Sequence, residues 1–400
     1  MSSTGNVVRM GDVVEFQNGG GFKSSEFTSS GAPVIRVSDF TADSVDVTNC
    51  RFLSAGSLST YDRFLLRKGD VVVSTVGSWP TSPTSPVGKV VLIPEEADGY
   101  LLNQNAVRLR AIEEWTTQRF VHYLAKTDGF KHYIAVHARG SANHARIAIG
   151  VLKDFELVLP PLPIQRRIAE ILGRLDDKIE VNRRINRTLE QMAQALYKHW
   201  FVDFGPFQDG EFVESEVGLI PAGWAVGRLG DIARVTSGKR PKKRSNIKTG
   251  EFHVPLYGAN GRVGYVKESL FAKSVIITGR VGTLGTLFRV GHEVWPSDNT
   301  LVIIPVKPIY YNFLFYALQR VDYRALNRGS TQPLLTQSDI KNLLILLPKQ
   351  DMLERFYKLT IPFLEFIDQS TRESEQLGAT RDYLLPKLLS GEVKIIGQGD

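Results

Sequence analysis

Ile168-Ala169-Glu170-Ile171-Leu172-Gly173-Arg174-Leu175 opens a run in which apolar side chains return every three or four residues, continuing through Ile185, Leu189, Met192 and Leu196. That spacing predicts a helix carrying a coiled-coil seam. The run comes back 188 residues later, pairing Ile168 with Phe356, Leu175 with Phe363, Ile179 with Ile367, Leu189 with Leu377 and Leu196 with Leu384. Lys178 and Asn182 fall on the expected seam, and a polar seam residue fixes register or partner number at some cost in stability. The second stripe comprises Phe356, Leu359, Phe363, Phe366, Leu377, Leu384 and Leu388, and Pro362 inside it predicts a kink or a later start. Either stripe alone fits an ordinary amphipathic helix on its own domain. Two equivalent helices of about 35 residues, against a usual 11 or 12, predict that each is the other's partner.

Outward from the helices the repetition continues. Arg9-Met10-Gly11-Asp12-Val13 recurs as Arg228-Leu229-Gly230-Asp231-Ile232, and Asn105-Ala106-Val107 as Asn299-Thr300-Leu301. Arg139-Gly140-Ser141-Ala142-Asn143 matches Arg328-Gly329-Ser330-Thr331-Gln332. Leu152-Lys153-Asp154, ending at Leu159-Pro160, matches Ile340-Lys341-Asn342, ending at Leu347-Pro348. The order is kept, so one globular portion and one helix occur twice. The reading places a first globular domain at 1–158, a helical region at 159–203, a linker and second domain at 204–346, and a second helical region at 347–400.

The globular portions read as α+β (mixed α/β) with many short strands. Asp70 to Ser74, Val90 to Ile93, Val275 to Thr278 and Leu301 to Ile304 are β-branched runs between turn residues, while Glu114 to Asp128 and Ile309 to Arg320 read as helices. The first helix delivers the chain to the second domain and the second helix has to return, which predicts an antiparallel coiled coil with approximate two-fold symmetry. A helix of about 35 residues spans about 50 Å, long enough to serve as a ruler along a duplex whose turn is about 34 Å.

Bulk properties set limits around this scheme. With 400 residues, 42% hydrophobic, the chain exceeds the roughly 250 to 300 residues at which one core stops growing, so two or more domains are expected. The net charge of +7 suits a polyanionic partner without requiring one. Met1 to Phe16 lacks the apolar core of a signal peptide and no run approaches the roughly 20 apolar residues of a membrane helix, which predicts a cytoplasmic chain without a membrane partner. Cys50 is the single cysteine, which excludes an intrachain disulfide and a thiolate zinc cage.

The densest positive charge is Lys239-Arg240-Pro241-Lys242-Lys243-Arg244, with Lys248 nearby; such a cluster neutralises phosphates or forms a solvated loop. The corresponding stretch of the first copy, Asn18-Gly19-Gly20-Gly21-Phe22-Lys23-Ser24, is glycine-rich, permitting close backbone approach or merely a turn. Arg139, Ser141 and Asn143, beside Gly140 and His144, and Arg328, Ser330, Thr331 and Gln332 combine a guanidinium, hydroxyls and an amide. Arg grips guanine or phosphate and Asn or Gln pairs with adenine, and a capped turn is the plain alternative. Asn103-Gln104-Asn105 and Ser297-Asp298-Asn299 raise the same choice, with Asn103, Asn105 and Asn299 as candidate contacts. Ser78-Trp79-Pro80-Thr81 and Gly279-Arg280-Val281-Gly282 follow equivalent strands; Ser78, Trp79, Arg36 and above all Arg280 join the candidate DNA contacts.

Leu159-Pro160-Pro161-Leu162-Pro163-Ile164-Gln165, then Ile168-Ala169, Asn182, Ile185, Leu189-Glu190-Gln191-Met192-Ala193 and Trp200-Phe201, closely resemble the central region of type I restriction-modification specificity subunits. Tyr383-Leu384-Leu385-Pro386-Lys387-Leu388-Leu389-Ser390-Gly391 resembles the usual ending of that family. With the duplication, the resemblance covers nearly the whole chain; Pro362 departs from it. It implies two target recognition domains alternating with two spacer helices, each domain reading half of a bipartite asymmetric sequence in double-stranded DNA. It further implies docking of two methylation subunits per chain and, through the complex, of restriction subunits. On this reading the bacterial chain is itself non-catalytic: S-adenosylmethionine, ATP and Mg²⁺ belong to the partner subunits, and the chain carries no cofactor or metal.

The residues give enzymatic alternatives little support. The only Pro-Pro lies in Leu159-Pro160-Pro161-Leu162, which is no catalytic loop of a methyltransferase. Gly279-Arg280-Val281-Gly282-Thr283-Leu284-Gly285 lacks G-x-G-x-x-G spacing, and Gly88-Lys89 is followed by Val90 rather than Ser or Thr. His132, His137 and His144 share no helical face with carboxylates. A protein-interaction scaffold and a self-sufficient nuclease or methyltransferase of unfamiliar motif are the rival readings.

Overall fold

The computed structural model describes residues 6–41, 43–79, 85–141, 144–282, 284–327 and 333–393. The chain divides into two compact units, Met1–Ile179 with Glu375–Asp400, and Glu180–Ser374. Each unit is a mixed α+β body built on the same sheet. In the first, an antiparallel sheet runs in the order Val14–Asn18, Ala106–Ala111, Val71–Ser74, Val90–Leu92. In the second the order is Ala233–Ser237, Thr300–Pro305, Val275–Gly279, Leu287–Val290. The β-branched runs seen in the sequence form these central strands because both of their faces are covered. Val71 and Val73 enter one core cluster and Val72 another. Ile276 and Val275 with Ile277 divide the same way, as the two-residue period of a strand requires.

A second shared feature explains the opening motif of the repeat. Asn6–Arg9 pairs antiparallel with Glu156–Leu159, and Ala225–Arg228 with Leu344–Leu347. Each first strand runs into a single helical turn, Met10–Val13 or Leu229–Ile232, where Asp12 accepts from the Arg9 amide (3.2 Å) and Asp231 from the Arg228 amide (2.8 Å). The aspartate caps the turn and the residue after Arg, Met10 or Leu229, is fully buried. The repeated Arg-x-Gly-Asp is therefore a folding signal.

The two long helices are Leu162–Phe201 and Gln350–Leu389. Within the first unit, Ile168, Ala169 and Leu172 of one share a core with Leu385 and Leu388 of the other. Within the second, Ala193, Tyr197 and Phe201 share a core with Leu353, Phe356 and Leu364. The pairing is antiparallel: Asn182 Nδ2 reaches Ser374 Oγ (3.2 Å) and the Ser370 carbonyl (3.3 Å), while Asn186 Oδ1 accepts from Ser370 Oγ (2.6 Å). Asn182 and Ser370 are 188 residues apart, as are Asn186 and Ser374, so the bonds from 182 to 374 and from 370 to 186 are two-fold images of each other.

The seam differs from the one expected. Ile168, Asn182 and Phe356 are buried, and Ile171, Leu175, Leu189, Leu196, Phe363, Leu377 and Leu384 are half-buried. Ile185 (37% exposed), Met192 (50%), Leu359 (49%) and Phe366 (44%) point to solvent, and Lys178 is exposed as well. The buried stripe runs Gln165, Ile168, Leu172, Ile179, Asn182, Ala193, Tyr197, and its 188-residue images Leu353, Phe356, Thr360, Ser370, Arg381 and Leu385 are buried too. Polar and small residues occupy the centre of the interface, so an apolar-only pattern follows the neighbouring face. Pro362 neither ends nor delays the second helix; the carbonyl it leaves unpaired belongs to the exposed Lys358, open to water.

Candidate nucleic-acid interface

In both units the strand that follows a parallel pair turns sharply before entering the central sheet. In the second unit the turn is Ser297-Asp298-Asn299, between Trp295–Pro296 and Thr300–Pro305. Its backbone is fastened on all sides: Ser297 N donates to the Tyr257 carbonyl (2.8 Å), Thr300 N to Ser297 (3.1 Å), Arg280 N to Asn299 (3.0 Å) and Gly238 N to Thr300 (3.1 Å). The first unit repeats the pattern at Asn103-Gln104-Asn105, with Asn103 N donating to Ile35 (3.0 Å), Ala106 N to Asn103 (3.3 Å), Thr75 N to Asn105 (2.9 Å) and Gly19 N to Ala106 (3.0 Å). A Cβ on Gly19 would lie 2.0 Å from the Asn103 carbonyl oxygen, and one on Gly238 2.1 Å from that of Ser297, so only glycine lets the chains cross there.

Immediately after Gly238 the second unit places its cationic run. Arg240, Pro241, Lys242, Lys243 and Arg244 form one wall of an open groove of about 940 Å³, whose other walls are Gly258-Ala259-Asn260, Val281 and Ser297-Asp298-Asn299. Lys239 is pinned by its backbone, donating to Pro296 (3.0 Å) and accepting from Trp295 Nε1 (2.7 Å). Lys239, Arg240, Lys242, Lys243 and Arg244 are all exposed, and among the described residues none of them enters an ion pair. Unneutralised like charges around a concavity create a strong local positive potential. Behind the groove wall two polar atoms are buried without partners: Ser297, 8% exposed, leaves its Oγ unbonded, and so does the adjoining Arg280 its Nε.

Comparison with known proteins gives this geometry its context. The profile described as "Type I restriction modification DNA specificity domain" matches residues 3–191 and again 221–368. The chain belongs to this family. Specificity-family relatives include the type I restriction enzyme MjaIX specificity subunit of Methanocaldococcus jannaschii, 27% identical over 352 residues, covering 78% of each chain. The HindI specificity subunit of Haemophilus influenzae is 24% identical, over 87% of this chain and 93% of that one. The crystal structure of a type I restriction-modification S subunit from M. genitalium shares the fold, with a TM-score of 0.55 at 19% identity over 96% of this chain and 95% of the other.

Within this specificity-family fold the residues singled out by sequence divide into three sets. Lys239, Arg240, Lys242, Lys243, Arg244 and Asn299 come together around the groove, with Arg280 beside it. In the first unit the side chains are more dispersed. Lys23, Asn105, Arg139 and Ser141 are exposed and Asn103 and Ser78 half-buried. Arg36 is held by Asp39 (Nη2 to Oδ1 2.8 Å, Nε to Oδ2 3.2 Å), and Trp79 Nε1 donates to the Ser141 carbonyl (3.1 Å), so both have partners within the chain. Asn143, Arg328, Ser330, Thr331 and Gln332 lie outside the described residues.

Sequence reasoning missed Asn260, at the groove edge in the turn joining Val254–Gly258 to Gly261–Val266. The signal was present: Asn260-Gly261 between strand-like runs is a strong hairpin mark, and Gly261 adopts φ 116°. It also missed Arg146, which faces Arg139 across the exposed hairpin Arg139–Ser141/His144–Arg146. That hairpin pairs onward to Val76–Gly77.

Proposed function

We propose that this chain is the sequence-reading subunit of a type I restriction-modification enzyme, binding double-stranded DNA with one unit per half of a bipartite, asymmetric target. The observation that carries the reading is the groove of the second unit, where four exposed cations, two amides and a carboxylate converge on fixed backbone. Cations of this kind displace counterions from phosphates and hold the duplex in register, while amides on a rigid turn meet base edges. The first unit offers the same turn with different side chains, Asn103-Gln104-Asn105, and an exposed arginine hairpin instead of a lysine-rich loop. Unlike surfaces on like scaffolds call for unlike half-sites.

The long helices supply the spacer and the docking sites. Ile185 and Met192 on one, Leu359 and Phe366 on the other, are apolar and exposed, which suits contact with methylation subunits, two per chain and one for each helix. Those partners bind S-adenosylmethionine and modify adenine; restriction subunits using ATP and Mg²⁺ join through the complex. The chain itself makes and breaks no bonds.

Co-expression with its methylation subunit, followed by mapping of modified adenines across a genome, tests the reading. A motif of two dissimilar short tracts separated by a gap of fixed length and free sequence is the expected result. A continuous or palindromic motif, or none, overturns it.

A further inference from the structure

Asp298 is out of place in a surface built only to hold a polyanion. It is exposed in the groove together with Arg240, Lys242, Lys243 and Arg244, where its carboxylate repels the phosphates these residues attract. Nor has it a structural task. Asp39 holds Arg36, Asp70 holds Arg110 and Asp231 caps a turn, whereas among the described residues Asp298 makes no ion pair and no side-chain hydrogen bond. Its backbone is fixed by the bonds to Ser297, Asn299 and Thr300, so the side chain is presented from a rigid turn. Beside it Ser297, which lines the same groove, has a buried Oγ without a partner.

We propose that Asp298 is a specificity-determining residue that accepts a hydrogen bond from an exocyclic amino group on a base edge, cytosine N4 being the group it fits. The inference rests on reading the groove as a DNA interface. In the major groove cytosine presents only a donor at that edge, and a carboxylate, acceptor on both oxygens, complements it while rejecting the acceptor-rich guanine and thymine. Repulsion from the backbone then becomes useful: Asp298 penalises every DNA register in which no amino group meets it.

The first unit supports the assignment by contrast. At the corresponding place of its turn stands Gln104, exposed, and a Cβ on Gly21 would lie 2.8 Å from its Oε1. Glutamine offers a donor and an acceptor together, the complement of adenine. One backbone position thus carries two different readers.

The test uses the full chain in complex with its methylation subunit, comparing wild type, Asp298→Ala, Asp298→Gln and the triple variant Lys242→Ala/Lys243→Ala/Arg244→Ala by adenine-modification mapping and by binding to random-sequence DNA. For Asp298→Ala, cytosine preference at one position of one half-site should fall at least tenfold, the other half-site should stay as it was, and binding to random DNA should be equal or tighter. Asp298→Gln should move the preferred base at that position to adenine. An unchanged motif in both variants, a loss spread over all positions, or relaxation at a position that is not cytosine overturns the inference. If the triple variant binds random DNA as wild type does, the groove is not the DNA interface, and this inference falls with that reading.

Discussion

In the first unit buried charge joins an apolar core in holding the globular part to the helices; in the second, aromatic rings take the place of most of that charge. Arg381, 5% exposed at its side chain, reaches from the second helix to Asp176 of the first helix (2.6 Å) and to Asp43 of the globular part (3.3 Å). Tyr123 adds a bond to Asp176 (2.6 Å), and Lys126 pairs with Asp43. Burial works against the Arg381 charge, but Asp176 and Asp43 more than offset it and hold its pKa above the ordinary arginine value. In the second unit the position 188 residues before Arg381 is Ala193, fully buried, and its neighbours are rings. Phe201 sits 5.1 Å from both Phe313 and Phe356, and Tyr197 lies 5.7 Å from Phe313 and Tyr316. The one prominent ion pair there, Arg289 to Glu190 (2.8 Å), is itself stacked on Phe315 at 4.5 Å. One helical frame therefore accepts two unrelated kinds of domain contact, provided each fills the space.

The difference is open to direct attack. Arg381→Ala should cost the first unit about 3–5 kcal/mol, because Asp176 is left in a desolvated site without its cation while Asp43 keeps Lys126; Arg381→Met should cost less. Phe356→Ala should cost the second unit a similar 3–5 kcal/mol through a cavity. Denaturant unfolding followed by hydrogen exchange separates the two effects, and loss of protection in the wrong unit would show that docking is shared rather than local.

A smaller effect distinguishes the charged surfaces of the two units. Replacing Lys242, Lys243 and Arg244 by Ala should weaken binding to every DNA sequence and reduce the slope of log affinity against log salt by up to about 2.7, at about 0.9 per phosphate contact. Removing Arg139 and Arg146 from the first unit should reduce it by no more than about 1.8. Equal slopes for both variants would erase the electrostatic contrast between the units.

The smallest effect is a pH response confined to the first unit. His122 is buried with Nδ1 unpartnered, and burial, reinforced by Lys126 and opposed by Asp176 and Asp43, lowers its pKa to about 3. The folded ring stays neutral while the unfolded one, near 6.5, takes up a proton. Stability is therefore complete above pH 6.5 and declines as pH falls below it, by about 1.4 kcal/mol per unit or about 2 kcal/mol at pH 5. His122→Leu should flatten urea midpoints measured between pH 7 and 5; an unaltered slope would place the acid sensitivity elsewhere.

Much of this was legible in the chain. Repetition gave the two copies, β-branched runs marked the buried strands, and the 188-residue register paired the helices. Periodicity failed where polar residues take the interface: Gln165, Asn182, Ser370 and Arg381 are buried by hydrogen bonds and ions, which hydrophobicity cannot report. Ile185 and Met192 were drawn into the seam because they are apolar, although they face outward. The groove was half legible. Charge density marked the Lys239–Arg244 loop, but its meeting with Asn260 and Asp298 depends on a parallel strand pair that no local pattern announces.

The turns at Asn103–Asn105 and Ser297–Asn299 are secured by main-chain bonds on either side, so the fold is indifferent to the side chains at their exposed positions, Gln104, Asn105, Asp298 and Asn299. Substitutions there carry almost no thermodynamic load. On the proposed reading, a new target then needs only new codons at the exposed positions of these turns, with the protein foldable at every intermediate.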